Sequence, residues 1–395
     1  MTATRGAGLP PAAAIEDPFA IRRAGRELLS LALIDARNHL LARLAQDESE
    51  AALRLAAHAG AYQERWIARH PQRQRGEAAD PTGLLLGGIE PRLDAWLDPA
   101  GAGPPADELR AYLAETLEVT LDLLAGAAED APGLHFYRLA LLHEDRLAET
   151  LAERRRAASP PARVEREPIW MPAQRWRLGS EREADPEVGA NLGLVPHNER
   201  WAHEVALPEF EIDAQPVNWR QYAEFAEDGG YDRREWWTDA GWAWLQAGAR
   251  RAPLGVEQLA GGVLIERAGQ LQRAAPLQPA MHVTRHEAEA WCRWAGRRLA
   301  TEPEWELAAA TAASRDFVWG DVFEWVAGGA RAWPSDPPAG PPGPGCLDPI
   351  PPPGTMGVLR GGSVATRPRW RHPKARRFAP PLRDTMFCGF RSCAL

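Results

Sequence analysis

"AASPPARVEREP", residues 157–168, divides two sequences of different grammar. Its prolines and alternating charges leave no apolar face to bury, so it reads as a connection. On its N-terminal side the apolar residues recur at three- and four-residue spacing, the period of a buried helix face. "FAIRRAGRELLSLALIDARNHLLARLAQ" and "ESEAALRLAAHAGAYQERWIARH" are two such helices, the second stopped near Pro71. After a Pro- and Gly-containing connection over roughly 71–105, "ADELRAYLAETLEVTLDLLAGA" is a third. "PGLHFYRLALLHEDRLAETLAERRR" is a fourth, with Pro132 and Gly133 at its start, where a missing N–H costs nothing. Four amphipathic helices with one long crossover predict an antiparallel bundle over 1–157. With 158–168 as linker, 169–395 forms a second domain.

That second half holds 15 of the 17 tryptophans, among short apolar runs and turn residues. Its clear helix is "RHEAEAWCRWAG", 285–296, followed by "RRLATEPEWELAAA". Short strands and loops around a few helices predict a loop-rich α+β domain. Trp201, Trp219, Trp305 and Trp325 are expected in its core or pocket wall. Residues 334–357, "PSDPPAGPPGPGCLDPIPPPGTMG", contain ten Pro and five Gly, which excludes helix and central strand. This segment is expected to be an exposed, poorly ordered loop.

Composition narrows the function. The chain has 395 residues, 45% of them hydrophobic and 25% charged, as in soluble globular proteins. A net charge of -8 argues against a general nucleic-acid binder. Of the 46 basic residues only Lys374 is a lysine, so arginine by itself carries little weight. Four cysteines without a CxxC pair read as reduced thiols rather than a disulfide framework. Neither a signal peptide nor a membrane-length apolar run is evident, and a cytoplasmic location is expected.

"LALLHEDRLAET", 139–150, resembles a metal-bearing helix with one ligand replaced. His143 is followed at i+4, on the same face, by Leu147. Glu144 and Asp145 point off that face and are expected to be solvated. Together with "HAGAYQERWIARH", this segment is similar to the two ligand-bearing helices of a DinB-like four-helix bundle. "WRLGS", "FEIDAQPVNWRQYAEF", "PAMHVTRHEAEAWCRWAGRRLATEPEWELAAA", "WGDVFEWVA" and "VLRGGSVATRPRWRHPKARRFAPPLRDTMFCGFRSCA" resemble a formylglycine-generating-enzyme-like domain, itself C-type-lectin-like in outline. The pairing resembles the ergothioneine-type sulfoxide synthases, and within them the selenoneine branch.

The resemblance implies a non-haem Fe(II) held by three histidines between the domains. O2 and a thiol or selenol donor, such as a selenosugar, would meet the imidazole carbon-2 of hercynine there. Carried over by position, the ligands fall on His58, His143 and Leu147. His135 lies about 80° from the His143 direction, and His39 is the other histidine considered. The resemblance also places Arg377, Phe378, Ala379 and Arg383 against substrates. A guanidinium at Arg383 can grip a carboxylate with two bonds, and an aromatic at Phe378 can face a trimethylammonium. Ala379 stands where some ergothioneine enzymes have an acidic residue. The loop before R-G-G-S, which carries a catalytic tyrosine in some of these synthases, has none here, since the five tyrosines end at Tyr231. "RGGSVATRPRWRHPK" also lacks the cysteine pair of formylglycine generation.

Other readings stand beside these. A lone helical histidine is commonly a packed or surface residue, and Arg377 and Arg383 could be charges of a basic tail. The fold could serve as a catalytically degenerate paralogue that binds or regulates, or as a sugar-binding module. No membrane or nucleic-acid partner is expected.

Overall fold

The computed structural model describes residues 10–181, 193–334 and 341–395. The N-terminal half is built on α1 (Arg26–Leu44), α2 (Glu50–Gln63), α3 (Ala106–Ala125) and α4 (Ala131–Arg155). Ser49 caps α2 by accepting the Ala52 N–H, and α2 runs on into a π-helical turn, Glu64–Ala68. Asp130 caps α4 by accepting the Gly133 N–H, with Pro132 in the first turn, as that sequence dictates. Arg156 then ends α4 in the left-handed conformation. The long helix α4 packs against both α1 and α2. Two apolar clusters fill the bundle, one around Leu33, Trp66, Phe136 and Leu141, the other around Leu44, Leu53, Leu113 and Leu147.

The C-terminal half is α+β. Strands β1 (Ile169–Met171), β4 (Phe210–Ile212), β13 (Ser392–Ala394) and β8 (Arg297–Leu299) form one sheet in that order. A second has the order β11 (Arg376–Ala379), β10 (Gly357–Gly361), β9 (Phe323–Gly329), β12 (Cys388–Phe390), and β12 runs parallel to β9. A β2–β3 hairpin (Gln174–Leu178, His203–Leu207) and a small β5–β6–β7 sheet (Val256–Gln258, Leu264–Arg267, Gln270–Arg273) complete it. Three helices begin with a capping box: α5 (Trp219–Glu227), α7 (Arg285–Trp294) and α8 (Glu302–Thr311), after α6 (Asp239–Gly248). In each, an Asn or Thr caps the chain and a Gln or Glu three residues on bonds back, which is why "TRHE" and "TEPE" start helices. Trp201, Trp219, Trp305 and Trp325 are all buried.

The two halves are clamped by ion pairs. Arg369, wholly buried, meets both oxygens of Asp145 on α4 at 2.6 and 2.9 Å and reaches Asp35 on α1 at 2.8 Å. The Trp370 indole N–H also donates to Asp145, at 2.6 Å. Asp145 is therefore not solvated as its helical position suggested. Glu144 is buried too, held by Arg37 at 2.5 Å and Gln63 at 2.8 Å. Both carboxylates lie off the His143 face, but other elements cover the faces they occupy.

Of the Pro/Gly segment, 335–340 fall outside the described residues; 341–356 makes no helix or strand, as expected, and is exposed at 341–342 and 352–355, but 343–348 is half-buried. It lies across the bundle as a strap. The Tyr62 hydroxyl donates to the Gly345 carbonyl at 2.9 Å, Arg146 pairs with Asp348 at 2.6 Å, and Leu347 packs on the bundle's apolar cluster. Proline denies it a ladder but not a docking surface.

Candidate functional site

α2 and α4 run antiparallel and bring His58 and His143 together. The His143 ring lies close enough to His58 for that residue's charge and backbone to act on it. Burial pushes His143 down to about 4, and the charges of His58 and Arg146 add to that. Partial burial of its ring lowers His58 as well, and an imidazole without its added proton is the form that can ligate a metal. His58 is exposed and His143 half-buried, with the Tyr62 ring 4.9 Å from His143.

Leu147 is buried in the apolar cluster shared by α2 and α4, at 7% exposure. His39 lies elsewhere on the bundle, among Arg367, Arg43, Asp145 and Asp35. His135 faces Glu77 and Pro344 under the strap. Among the described residues no group of three or more His, Cys, Asp or Glu side chains could hold a metal. The donors present are two imidazoles, and they do not fit a three-histidine iron centre.

α2 and α4 also line a cavity of about 640 Å³ between the domains. Ala51 and Leu55, two turns and one turn before His58, line one wall. Thr150 and Glu153, beyond His143 on α4, line another, and Leu254, Arg383 and Thr385 close it from the C-terminal domain. Arg383 is exposed there and makes no ion pair among the described residues. Arg377 sits at the same interface, paired with Glu149 of α4 and stacked over Phe323. Glu149 also accepts from Ser363 of the R-G-G-S segment at 3.3 Å, and from Thr366. Phe378, next along β11, points to the opposite sheet face, as strand geometry requires. There it packs with the Trp305 cluster, and the Arg376 guanidinium lies 5.0 Å from its ring. The structure thus brings His58 and His143 together, places Arg377 and Arg383 in two different pockets between the domains, and leaves Phe378 outside both.

Three residues of this interface carry no motif. Tyr62, four residues after His58, shares its helix face and could have been found from that spacing. Glu149 and Glu153 could not, because their partners lie more than two hundred residues away.

A family model for the sulfatase-modifying factor enzyme 1-like domain matches residues 159–333. The hercynine oxygenase of Mycolicibacterium smegmatis (strain ATCC 700084 / mc(2)155) is 30% identical, covering 85% of this chain and 89% of that protein. This chain belongs to the hercynine oxygenase family. The hercynine oxygenase of Mycolicibacterium thermoresistibile is 29% identical over 93% of this chain and 94% of its own length. The formylglycine-generating enzyme of Mycobacterium tuberculosis is 26% identical and covers 38% of this chain. Hercynine oxygenase likeness therefore spans both domains. No helix among the described residues is long and apolar enough to cross a membrane.

Proposed function

We propose that this member of the hercynine oxygenase family joins a sulfur or selenium donor to the imidazole of hercynine, using O2, in the cleft between bundle and C-terminal domain. The observation that supports this is the closeness of His58 and His143 on α2 and α4, with Ala51, Leu55 and Thr150 of the same two helices lining the Arg383 cavity. Arg383, unpaired and exposed to that cavity, is the residue assigned to a substrate carboxylate. Arg377, held by Glu149, lines a separate interdomain pocket with Arg146 and Thr366. Phe378 is not assigned a ligand, since it packs on the far side of its sheet. His58 and His143 are the two nitrogens offered to iron(II), and two donors alone do not secure the ion.

A second reading has its own observation. Leu147 fills the third position with buried apolar volume, which suits a catalytically degenerate paralogue that binds hercynine without converting it. One experiment separates the two. The protein is loaded anaerobically with iron(II), mixed with hercynine and a thiol or selenol donor, and exposed to O2. Mass spectrometry then looks for the C–S or C–Se product. Product that disappears in His143→Ala supports the synthase. Hercynine binding without product supports the second reading.

A further inference from the structure

The interdomain cavity contains a buried acid that the reading above does not use. Glu153 is 6% exposed, lines the cavity, and its Oε1 has no hydrogen-bond partner. A buried polar atom without a partner is uncommon in a folded protein and calls for an explanation. Around it the cavity is rich in donors: the guanidiniums of Arg154, Arg156 and Arg383 and the hydroxyl of Thr385. Arg154 has Asp47 near it at 3.9 Å, and Arg156 pairs with Glu266.

We propose that Glu153 is a ligand-contacting residue whose carboxyl group gives a hydrogen bond to an oxygen of the chalcogen donor held in this cavity. This rests on the proposed function for the identity of the ligand. The donor-rich wall selects a molecule rich in acceptor oxygens, whether carboxylate or hydroxyl.

For Glu153 to donate it must keep its proton. Burial does this, with the charge of Glu149 one turn away, and together they push Glu153 up to about 8. Arg377, Arg383 and the nearby Phe387 backbone oppose the shift. Burial raises the neighbouring Cys388 thiol strongly, so it stays neutral over the same range. Glu149 is already held by Arg377, Ser363 and Thr366, which leaves Glu153 as the proton carrier of the two. A carboxylic acid kept neutral so that it can donate is an established use of an apolar site.

Below about pH 8 the acid donates, and above it the carboxylate has no proton to give and repels the acceptor. Affinity should therefore fall about tenfold per pH unit above that value. The test is calorimetric binding from pH 6.5 to 9.5 with two probes, glutathione for carboxylates and 1-thio-β-D-glucose for hydroxyls. At least one should bind the wild type at pH 7, and the one that binds names the oxygen type. Glu153→Ala should weaken it tenfold or more at that pH. Glu153→Gln, which keeps an N–H donor in place, should hold the affinity and flatten the pH profile. Failure of both probes to bind, unchanged binding in Glu153→Ala, or a wild-type pH profile in Glu153→Gln would each overturn the proposal. The assay needs neither iron nor turnover. A protein that binds in this way but makes no product refutes the synthase reading and leaves the role of Glu153 standing.

Discussion

Replacing Leu147 with histidine puts a third imidazole four residues beyond His143, on the same helical face. Two opposing terms follow from the structure. Leu147 is 7% exposed within the α2–α4 cluster, and burying a leucine is worth roughly 1.5–3 kcal/mol. The metal-free variant should therefore lose about 2 kcal/mol, a fall in Tm of about 4–8 °C for a domain of this size. A completed site would bind iron(II) only when folded, and ligand at one hundred times its Kd returns about 2.7 kcal/mol. The two terms nearly cancel, so anaerobic iron(II) should restore the variant's Tm close to that of the wild type. Wild-type Tm should respond much less, because two nitrogens hold the ion weakly. The assay is thermal unfolding by circular dichroism with and without iron(II), with manganese(II) as a second ion and titration to fix stoichiometry. A variant destabilised as calculated but indifferent to iron would refute the geometry, because His58, His143 and position 147 would then not share a point. Tight stoichiometric iron in the wild type would show that a further donor completes the site.

Three other outcomes are expected. Asp145→Ala strips the buried Arg369 and Trp370 of their shared carboxylate, leaving Arg369 with Asp35, Glu16 and the Ile15 carbonyl on its other side; breaking a buried pair costs about 3 kcal/mol or more, and limited proteolysis within 157–168 should accelerate. Undiminished resistance there would mean that the clamp does not join the domains. Burial depresses His143 and His135 to about 4, so between pH 6.5 and 4 the unfolded chain takes up protons that the folded one refuses. Stability should then fall with falling pH, by up to about 1.4 kcal/mol per unit for each histidine, read as a declining urea midpoint; His143→Gln should lessen the decline, and an unaltered slope counts against a buried neutral ring. Asp348→Ala leaves Arg146 without its 2.6 Å partner and should loosen the strap, raising hydrogen exchange at the described backbone amides of 343–348; unchanged exchange would place the holding energy in Leu347 and Tyr62 instead.

The sequence by itself determined the elements and their order. The fourth helical stretch, read from the sequence to Arg156, ends one residue earlier as α4. Capping chemistry starts α4, α7 and α8 where Asp130, Thr284 and Thr301 stand. These are local effects, settled within one or two helical turns, so a string of residues displays them. The i to i+4 relation of His143 and Leu147 is equally local, which is why the incomplete donor set was legible before any fold. Tertiary structure alone decided which faces are covered. Asp145 looked solvated because its helical direction diverges from His143, yet Arg369 reaches it from 224 residues away. The Pro/Gly segment looked free because it cannot make a ladder, yet Tyr62, Arg146 and the bundle's apolar surface hold it. Phe378 seemed a neighbour of Arg377 in the pocket, but strand alternation sends the two to opposite faces. Glu153 gave no sign at all, since its proton is kept by burial between two domains. Burial is a property of what else arrives at a place, and no single stretch of chain contains it.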